Sequence, residues 1–353
     1  MAQGSSAHVE ACSVRAAHAR SAPPVWSART LRACAHWTRC DASPWQPWQC
    51  RGAGFLPMES AELTDFAKDG VNIGGGSFGT VQRAVHKPSG TVYAMKIVPR
   101  EKIVEHRMEE YLHREVQTQM TLDHPNILKL YRCFEVSESF QLLLEYADGG
   151  SLFTVMRRNG RLTSKKAAPV FAGIASALDH LHHMGLIHRD VKPENILMCG
   201  TVAKLADFGW CAQTAGVGET RQTFCGTLDY LPPEMIKNDP HDCTVDNWAM
   251  GVLLYEMLLG RAPFAEGGKT NLSRILDADV AEWPEGAMPA EAEELMRQLL
   301  RPEPGERISL AAAISHGWVA ANCGKRPGRP AAHEAQGTKG IEALEQSRRA
   351  SPA

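Results

Sequence analysis

The sequence predicts an α+β fold in two lobes, a small β-rich lobe with one helix followed by a larger helical lobe. Three observations predict it. Between about Asp65 and Tyr146, short runs rich in Val, Ile, Tyr and Thr alternate with Gly- and Pro-containing turns, the texture of an antiparallel sheet. Beyond Gly149-Gly150 the apolar residues recur at helical spacing instead, with Phe171, Ile174, Ala175, Leu178 and Leu181 on one stripe. The chain of 353 residues is 44% hydrophobic, enough to bury a substantial core.

Each element follows in order. Val71-Asn72-Ile73 leads into Gly74-Gly75-Gly76-Ser77-Phe78-Gly79, and Thr80–Val85 reads as a strand turning back. A turn at Pro88-Ser89-Gly90 precedes the third strand, Thr91–Val98. Residues 100–121 are charged and favour helix, and Ile127–Tyr131 and Phe140–Tyr146 read as two more strands. Helices are expected over 165–184, 245–259 and 290–300. The cleft between the lobes is the expected ligand site.

The two ends differ from this body. Residues 1–57 carry six Arg, no Lys and only Glu10 and Asp41, and four Trp in no regular period. A transit-like leader, an unstructured extension and a true start at Met58 all stay open. Cys34, His36, Cys40 and Cys50 fit no zinc-finger spacing. Residues 321–353 read as a basic, disordered tail, with Lys325-Arg326-Pro327-Gly328-Arg329-Pro330 a solvated stretch rather than a DNA hook. Basic ends leave an acidic middle, which disfavours nucleic acid and suits a basic peptide partner. Ten Cys with no CxxC pair read as free thiols, and no apolar run is long enough for a membrane span.

Several residues carry chemistry. Gly74, Gly76 and Gly79 form a hairpin that can lie close over phosphates because no side chains intervene; Val81 completes the pattern. Lys96, in an apolar strand, needs a negative partner, and Glu115 is the candidate. In His188-Arg189-Asp190-Val191-Lys192-Pro193-Glu194-Asn195, Asp190 can deprotonate a hydroxyl and Lys192 can reach a transferring phosphoryl group. Asn195 and Asp207, the latter in Asp207-Phe208-Gly209, supply oxygen ligands for Mg2+ bound to the phosphates of ATP.

Residues from about 65 to 320 resemble eukaryotic protein kinases throughout, and the expected fold is therefore the bilobal kinase fold. Trp210 after Asp207-Phe208-Gly209, and Thr227-Leu228-Asp229-Tyr230-Leu231-Pro232-Pro233-Glu234-Met235, resemble Aurora kinases in particular. His124–Tyr131 and the hinge-like Leu144-Glu145-Tyr146-Ala147 match as well. The resemblance implies a Ser/Thr kinase whose ATP site holds Gly74, Gly76, Gly79, Val81, Lys96, Glu115, Glu145, Ala147, Glu194, Asn195 and Asp207. It makes Leu144 the gatekeeper, with the backbone of Glu145 and Ala147 binding adenine. Thr227 would bridge Asp190 and Lys192, Glu234 would pair with Arg307, and Asp246 would brace the catalytic loop.

The same resemblance makes Thr223 the activation-loop phosphosite, clamped by Arg114, Arg189 and Arg221. Glu194 and Glu256 match positions that receive an Arg two residues before the target hydroxyl. Expected partners are protein substrates with basic Ser/Thr sites and an activating protein at the small lobe. Expected roles lie in mitosis and chromosome segregation, in the nucleus, at the spindle or in the cytoplasm. The sequence departs from the family in three places: about two extra residues between Gly209 and Thr223, a single Arg221 before the phosphosite, and no Lys in the glycine loop. The rivals are a nucleotide-binding scaffold without catalysis and another basophilic kinase. Intact Lys96, Asp190, Asn195 and Asp207 argue against the first, and Trp210 against the second.

Overall fold

The computed structural model describes residues 60–323, apart from 77–78, 106–108, 209–211, 214–227 and 267–268. The extension expected at 1–57, the metal-like set within it, and all but the first residues of the 321–353 tail lie outside the described residues. Thr223, Arg221, Thr227 and Trp210 lie outside them too.

The small lobe is a five-stranded antiparallel sheet in the order β1-β2-β3-β5-β4. Its strands are β1 (Phe66–Gly76), β2 (Gly79–His86), β3 (Val92–Pro99), β4 (Leu130–Val136) and β5 (Ser139–Glu145). Helices α1 (Arg100–Glu105) and α2 (Glu109–Thr121) fill the expected helical stretch. In β3, Val92, Tyr93, Ile97 and Val98 suit the pleat because β-branched and aromatic side chains pack well on it. Strand alternation sends Met95 to one face and Lys96 to the other. On the Met95 face, Phe66, Ala84 and Leu143 close a small core with Ala61. Burying one such Phe is worth roughly 1.5–3 kcal/mol.

One strand expectation is corrected. The strand expected over Ile127–Tyr131 begins only at Leu130 and runs on to Val136. The reason is a competing partner in the large lobe. Ile127 makes a parallel bridge to Leu205, the Leu128 N–H donates to the Leu205 carbonyl at 2.8 Å, and the Leu205 N–H donates to the Asn126 carbonyl at 2.8 Å. The backbone of 126–128 is therefore spent joining the lobes.

The large lobe opens with α3 (Leu152–Asn159), whose N-terminus is capped by Ser151: its hydroxyl accepts from the Thr154 N–H at 3.2 Å. Helix α4 (Ser164–His183) is the central one. Phe171, Ile174, Leu178 and Leu181 are wholly buried, as the periodicity requires. Two short antiparallel pairings follow: β6 (Leu186–Ile187) with the later β9 (Ala212–Gln213), and the hairpin β7 (Ile196–Cys199) with β8 (Val202–Leu205). Then come α5 (Pro233–Ile236), α6 (Thr244–Leu259), the β10–β11 hairpin (Ala265–Glu266 with Lys269–Thr270), α7 (Leu272–Leu276) and α8 (Ala290–Leu299). The lobe ends in α9 (Leu310–Ile314) and α10 (Gly317–Asn322).

Helix α6 is buried along most of its length, so charges near it must be paired. Arg307 meets Glu234 in a two-pronged contact, at 2.6 and 2.7 Å, and its guanidinium lies 5.1 Å from the Trp248 ring centre. The carbonyls of Arg301, Thr244 and Pro302 take the remaining donors. This is the pair expected from the sequence. Cys133, Cys199, Cys243 and Cys323 are free thiols. Among the described residues no helix is long and apolar enough to cross a membrane.

Candidate active site

The glycine-rich hairpin is a true strand pair, with Gly76 opposite Gly79 and Gly74 opposite Val81. Gly79 is required by close packing: a Cβ there would lie 2.1 Å from the Ile97 carbonyl oxygen. The hairpin thus presses down on β3, the strand that carries Lys96. From β3, Lys96 Nζ reaches Glu115 of α2 at 3.3 Å, with the two side chains only 26% and 11% exposed. Burial alone would lower the Lys96 pKa, but Glu115 and then Asp207 outweigh it and hold it above its ordinary value. Burial raises the Glu115 carboxyl, opposed by Lys96 and assisted by Asp207. Two carboxylates thus share one ammonium.

The catalytic loop is fixed from beneath. Asp246, fully buried at the start of α6, accepts the His188 N–H at 3.0 Å and the Arg189 N–H at 2.9 Å. His182, on the last turn of α4, donates from Nε2 to the same carboxylate at 2.7 Å. Burial alone would raise the Asp246 pKa; the hydrogen bond from His182 leads the contacts that hold it below its ordinary value. The His188 ring spans the loop, with Nε2 3.2 Å from the Ala206 carbonyl and Nδ1 3.3 Å from the Asp190 N–H. Those two bonds put its proton on Nε2. The ring meets Phe208 edge-on, 5.3 Å between centres.

Above this base the side chains converge. Lys192 Nζ donates to both Asp190 oxygens at 2.9 Å. The Asn195 amide nitrogen donates to the Asp190 carbonyl at 2.9 Å and to its Oδ2 at 2.7 Å. The Asn195 nitrogen is committed to Asp190, which leaves its amide oxygen for another partner. Arg189 and Asp207 both take left-handed backbone, at φ 67° and 64°. Non-glycine residues hold that conformation only where surrounding contacts enforce it, at a cost of order 1–3 kcal/mol. Here the Asp246 bonds enforce it at Arg189.

The hinge and the outlying positions complete the set. Leu144 is buried at the end of β5. The Glu145 N–H donates to the Lys129 carbonyl at 2.9 Å, and the Ala147 N–H has no partner among the described residues. The Glu145 side chain turns to Lys204, 2.9 Å away. Glu194 is exposed, while Glu256 is partly buried and accepts from the Tyr230 hydroxyl. Burial pushes the Glu256 carboxyl up, the Tyr230 bond opposes this, and Glu194 and Asp229 add to it. Arg114 lies on α2, but its side chain is outside the described set, as are Arg221, Thr223 and Thr227.

The structure groups Lys96 with Glu115 and Asp207, and Asp190 with Lys192 and Asn195, and the Ala206 N–H donating to the Asn195 carbonyl at 2.8 Å joins the two stretches of chain. Sequence reasoning missed His182, Tyr230 and Lys204. His182 sits one residue past the apolar stripe of α4, and a His so placed on a buried helix was the available signal. Such an arrangement can hold a polyphosphate, a cation and a hydroxyl, with one carboxylate oriented as a base.

A profile of the protein kinase domain matches residues 67–319. Aurora kinase C of Mus musculus is 39% identical over 258 residues, covering 73% of this chain and 92% of that protein. The chain belongs to the Aurora kinase family. Serine/threonine-protein kinase Aurora-1 of Arabidopsis thaliana is 39% identical over 262 residues, covering 74% of this chain and 88% of its own. The Aurora kinase of Saccharomyces cerevisiae is 37% identical over 271 residues, covering 75% of this chain and 72% of its own. The protein is thus a Ser/Thr protein kinase of Aurora type, with the bilobal kinase fold expected from the sequence. As a protein kinase it uses ATP with a divalent metal and acts on protein substrates.

Proposed function

We propose that this Aurora-type kinase transfers the γ-phosphoryl group of ATP to Ser or Thr in basic protein segments during mitosis and chromosome segregation. The same reading puts it in the nucleus, at the spindle or in the cytoplasm, activated by a protein partner at the small lobe. One observation carries the chemical part: the Asp190 carboxylate is aimed by Lys192 and Asn195 on a loop that Asp246 locks from below.

The residues fit a divalent metal. Glu115 and Asp207 leave the Lys96 corner with excess negative charge, and the Asn195 amide oxygen is not used by Asp190. Asn195 and Asp207 would hold magnesium, which neutralises phosphate charge when bound. Lys96, oriented by Glu115, binds the α- and β-phosphates, and the glycine hairpin covers them. The backbone of Glu145 and Ala147 binds adenine. Asp190 accepts the proton of the substrate hydroxyl as its oxygen attacks phosphorus and the bond to the β-phosphate oxygen breaks. Lys192 balances charge on the transferred group, and Thr227 bridges it to Asp190.

Two further assignments belong to the same reading. Glu194 and Glu256 receive a substrate Arg; burial first, and then the nearby Glu194 and Asp229, raise the Glu256 pKa, and a guanidinium would offset both. Phosphorylated Thr223 recruits Arg189, Arg114 and Arg221 and orders the segment after Gly209.

The deciding experiment is transfer from labelled ATP to a Ser/Thr peptide with Arg two residues upstream, for wild type and Asp190→Asn of equal melting temperature. Loss of the base lowers the rate by about 10²–10⁴-fold. Equal rates would end the assignment of Asp190. Replacing the upstream Arg by Ala tests Glu194 and Glu256, and mass spectrometry of Thr223 with Thr223→Ala tests the phosphosite. Imaging the tagged protein through cell division tests the mitotic role.

A further inference from the structure

Lys204 belongs to none of the assignments above. It lies on β8, three residues before Asp207, and its side chain is 13% exposed. Its Nζ meets Glu145 Oε2 at 2.9 Å, on the residue where β5 passes into the hinge. The same Oε2 accepts the Lys129 N–H at 3.3 Å, while the Glu145 N–H donates back to the Lys129 carbonyl at 2.9 Å. Lys129 in turn sends Nζ to the Leu122 carbonyl at 2.9 Å, just past the end of α2. One carboxylate thus ties together the segment after α2, the hinge and the strand leading to Asp207.

The rest of the hinge is pressed onto the same β7–β8 hairpin. The Gly149 N–H donates to the Met198 carbonyl and the Met198 N–H to the Gly150 carbonyl, each at 2.8 Å. The Gly200 N–H donates to Asp148 Oδ1 at 2.8 Å. A Cβ at Gly149 would lie 2.8 Å from the Met198 Cβ, so no side chain fits between hinge and hairpin. These contacts fix residues 148–150, while Glu145 is held by its pairing with Tyr93 in the sheet and by its N–H to Lys129, and its carboxylate adds the link to β8.

We propose that Lys204 is a positioning residue: its ion pair with Glu145 latches the hinge to β8 and presets the backbone that receives adenine. The proposal rests on the reading that Glu145 and Ala147 bind adenine. The latch touches no reacting atom. It acts by sparing ATP the cost of ordering the hinge, so its loss weakens nucleotide binding and leaves phosphoryl transfer intact.

The test is steady-state kinetics of Lys204→Gln, with Lys204→Met as a second neutral variant should the first melt early. Loss of the latch raises the KM for ATP about three- to tenfold, the scale of one partly buried ion pair. kcat and the peptide KM stay within about twofold. Lys204→Arg restores the ATP KM, and amide exchange at Glu145 and Lys129 quickens in the neutral variants only. An unchanged ATP KM, a fall in kcat alone, or no recovery in Lys204→Arg overturns the latch. Adding ADP to wild type and following the Ala147 amide separates the two readings. No protection there removes the adenine assignment itself, whereas protection with an unmoved KM removes the latch alone.

Discussion

Asp246 and Lys96 are both charged groups sunk between elements, and the chain holds them in different ways. Asp246 is fully buried and saturated: two backbone N–H groups and His182 converge on it within 3.0 Å. Lys96 has a longer ion pair, 3.3 Å to Glu115 on a helix preceded by residues outside the described set, with Asp207 as a second carboxylate acting on it. The first arrangement is over-determined, with three donors converging from α4 and the catalytic loop. The second depends on where α2 places Glu115 and on Asp207 beside it. The base is thus held from several sides at once, whereas the clamp follows the position of α2.

The comparison can be broken from the Asp246 side first. Asp246→Ala leaves His182 and two loop N–H groups without their acceptor. It lowers unfolding free energy by about 3–5 kcal/mol, read from denaturant melts. A loss under 1 kcal/mol would mean the loop holds itself.

Gly79→Ala comes next. Its methyl group has no room against the Ile97 carbonyl, so the hairpin must lift from β3. The expected cost is about 1–3 kcal/mol in stability, with a higher ATP KM.

Glu115→Gln sharpens the contrast from the other side. It keeps shape, loosens Lys96, and lowers kcat/KM about 10-fold while the melting temperature barely moves. A variant that melts like Asp246→Ala would show that the clamp is a structural pair after all.

The smallest effect is one of pH. Asp246 has a folded pKa below its ordinary 3.8, so its contribution is present above that value and lost as pH falls through the folded one. Lys96 is raised above its ordinary 10.5, so its contribution is complete below that value and lost as pH climbs through the folded one. The brace therefore fails in acid and the clamp in alkali. Melting curves of Asp246→Asn should lack part of the acid limb, and those of Lys96→Met part of the alkaline one.

How much of this could be read beforehand follows the same division. Asp190, Lys192, Asn195 and Asp207 lie within eighteen residues, and their types alone state the chemistry. Lys96 needed a partner because an apolar strand surrounds it, and Glu115 was found that way. Helix α4 was legible because its apolar stripe repeats over twenty residues. The start of β4 was not, since Ile127 and Leu128 look like strand residues and their competing partner, Leu205, is far along the chain. Lys204 and His182 were missed for a related reason. A Lys in a short strand and a His at a helix end have ordinary solvated readings, and only tertiary contact with Glu145 and Asp246 removes them.

The Glu234–Arg307 contact has a consequence for how the chain is made. The two residues are separated by 73 positions. At translation speeds of about 5–20 residues per second, Glu234 waits roughly 4–15 s for its guanidinium. Through that interval α6 cannot settle over a carboxylate that nothing neutralises. Ribosome-bound chains arrested before Arg307 should be cut by protease within Thr244–Leu259, and chains released a few dozen residues later should resist. A chain truncated before Arg307 should therefore leave Glu234 without its guanidinium and pack α6 poorly.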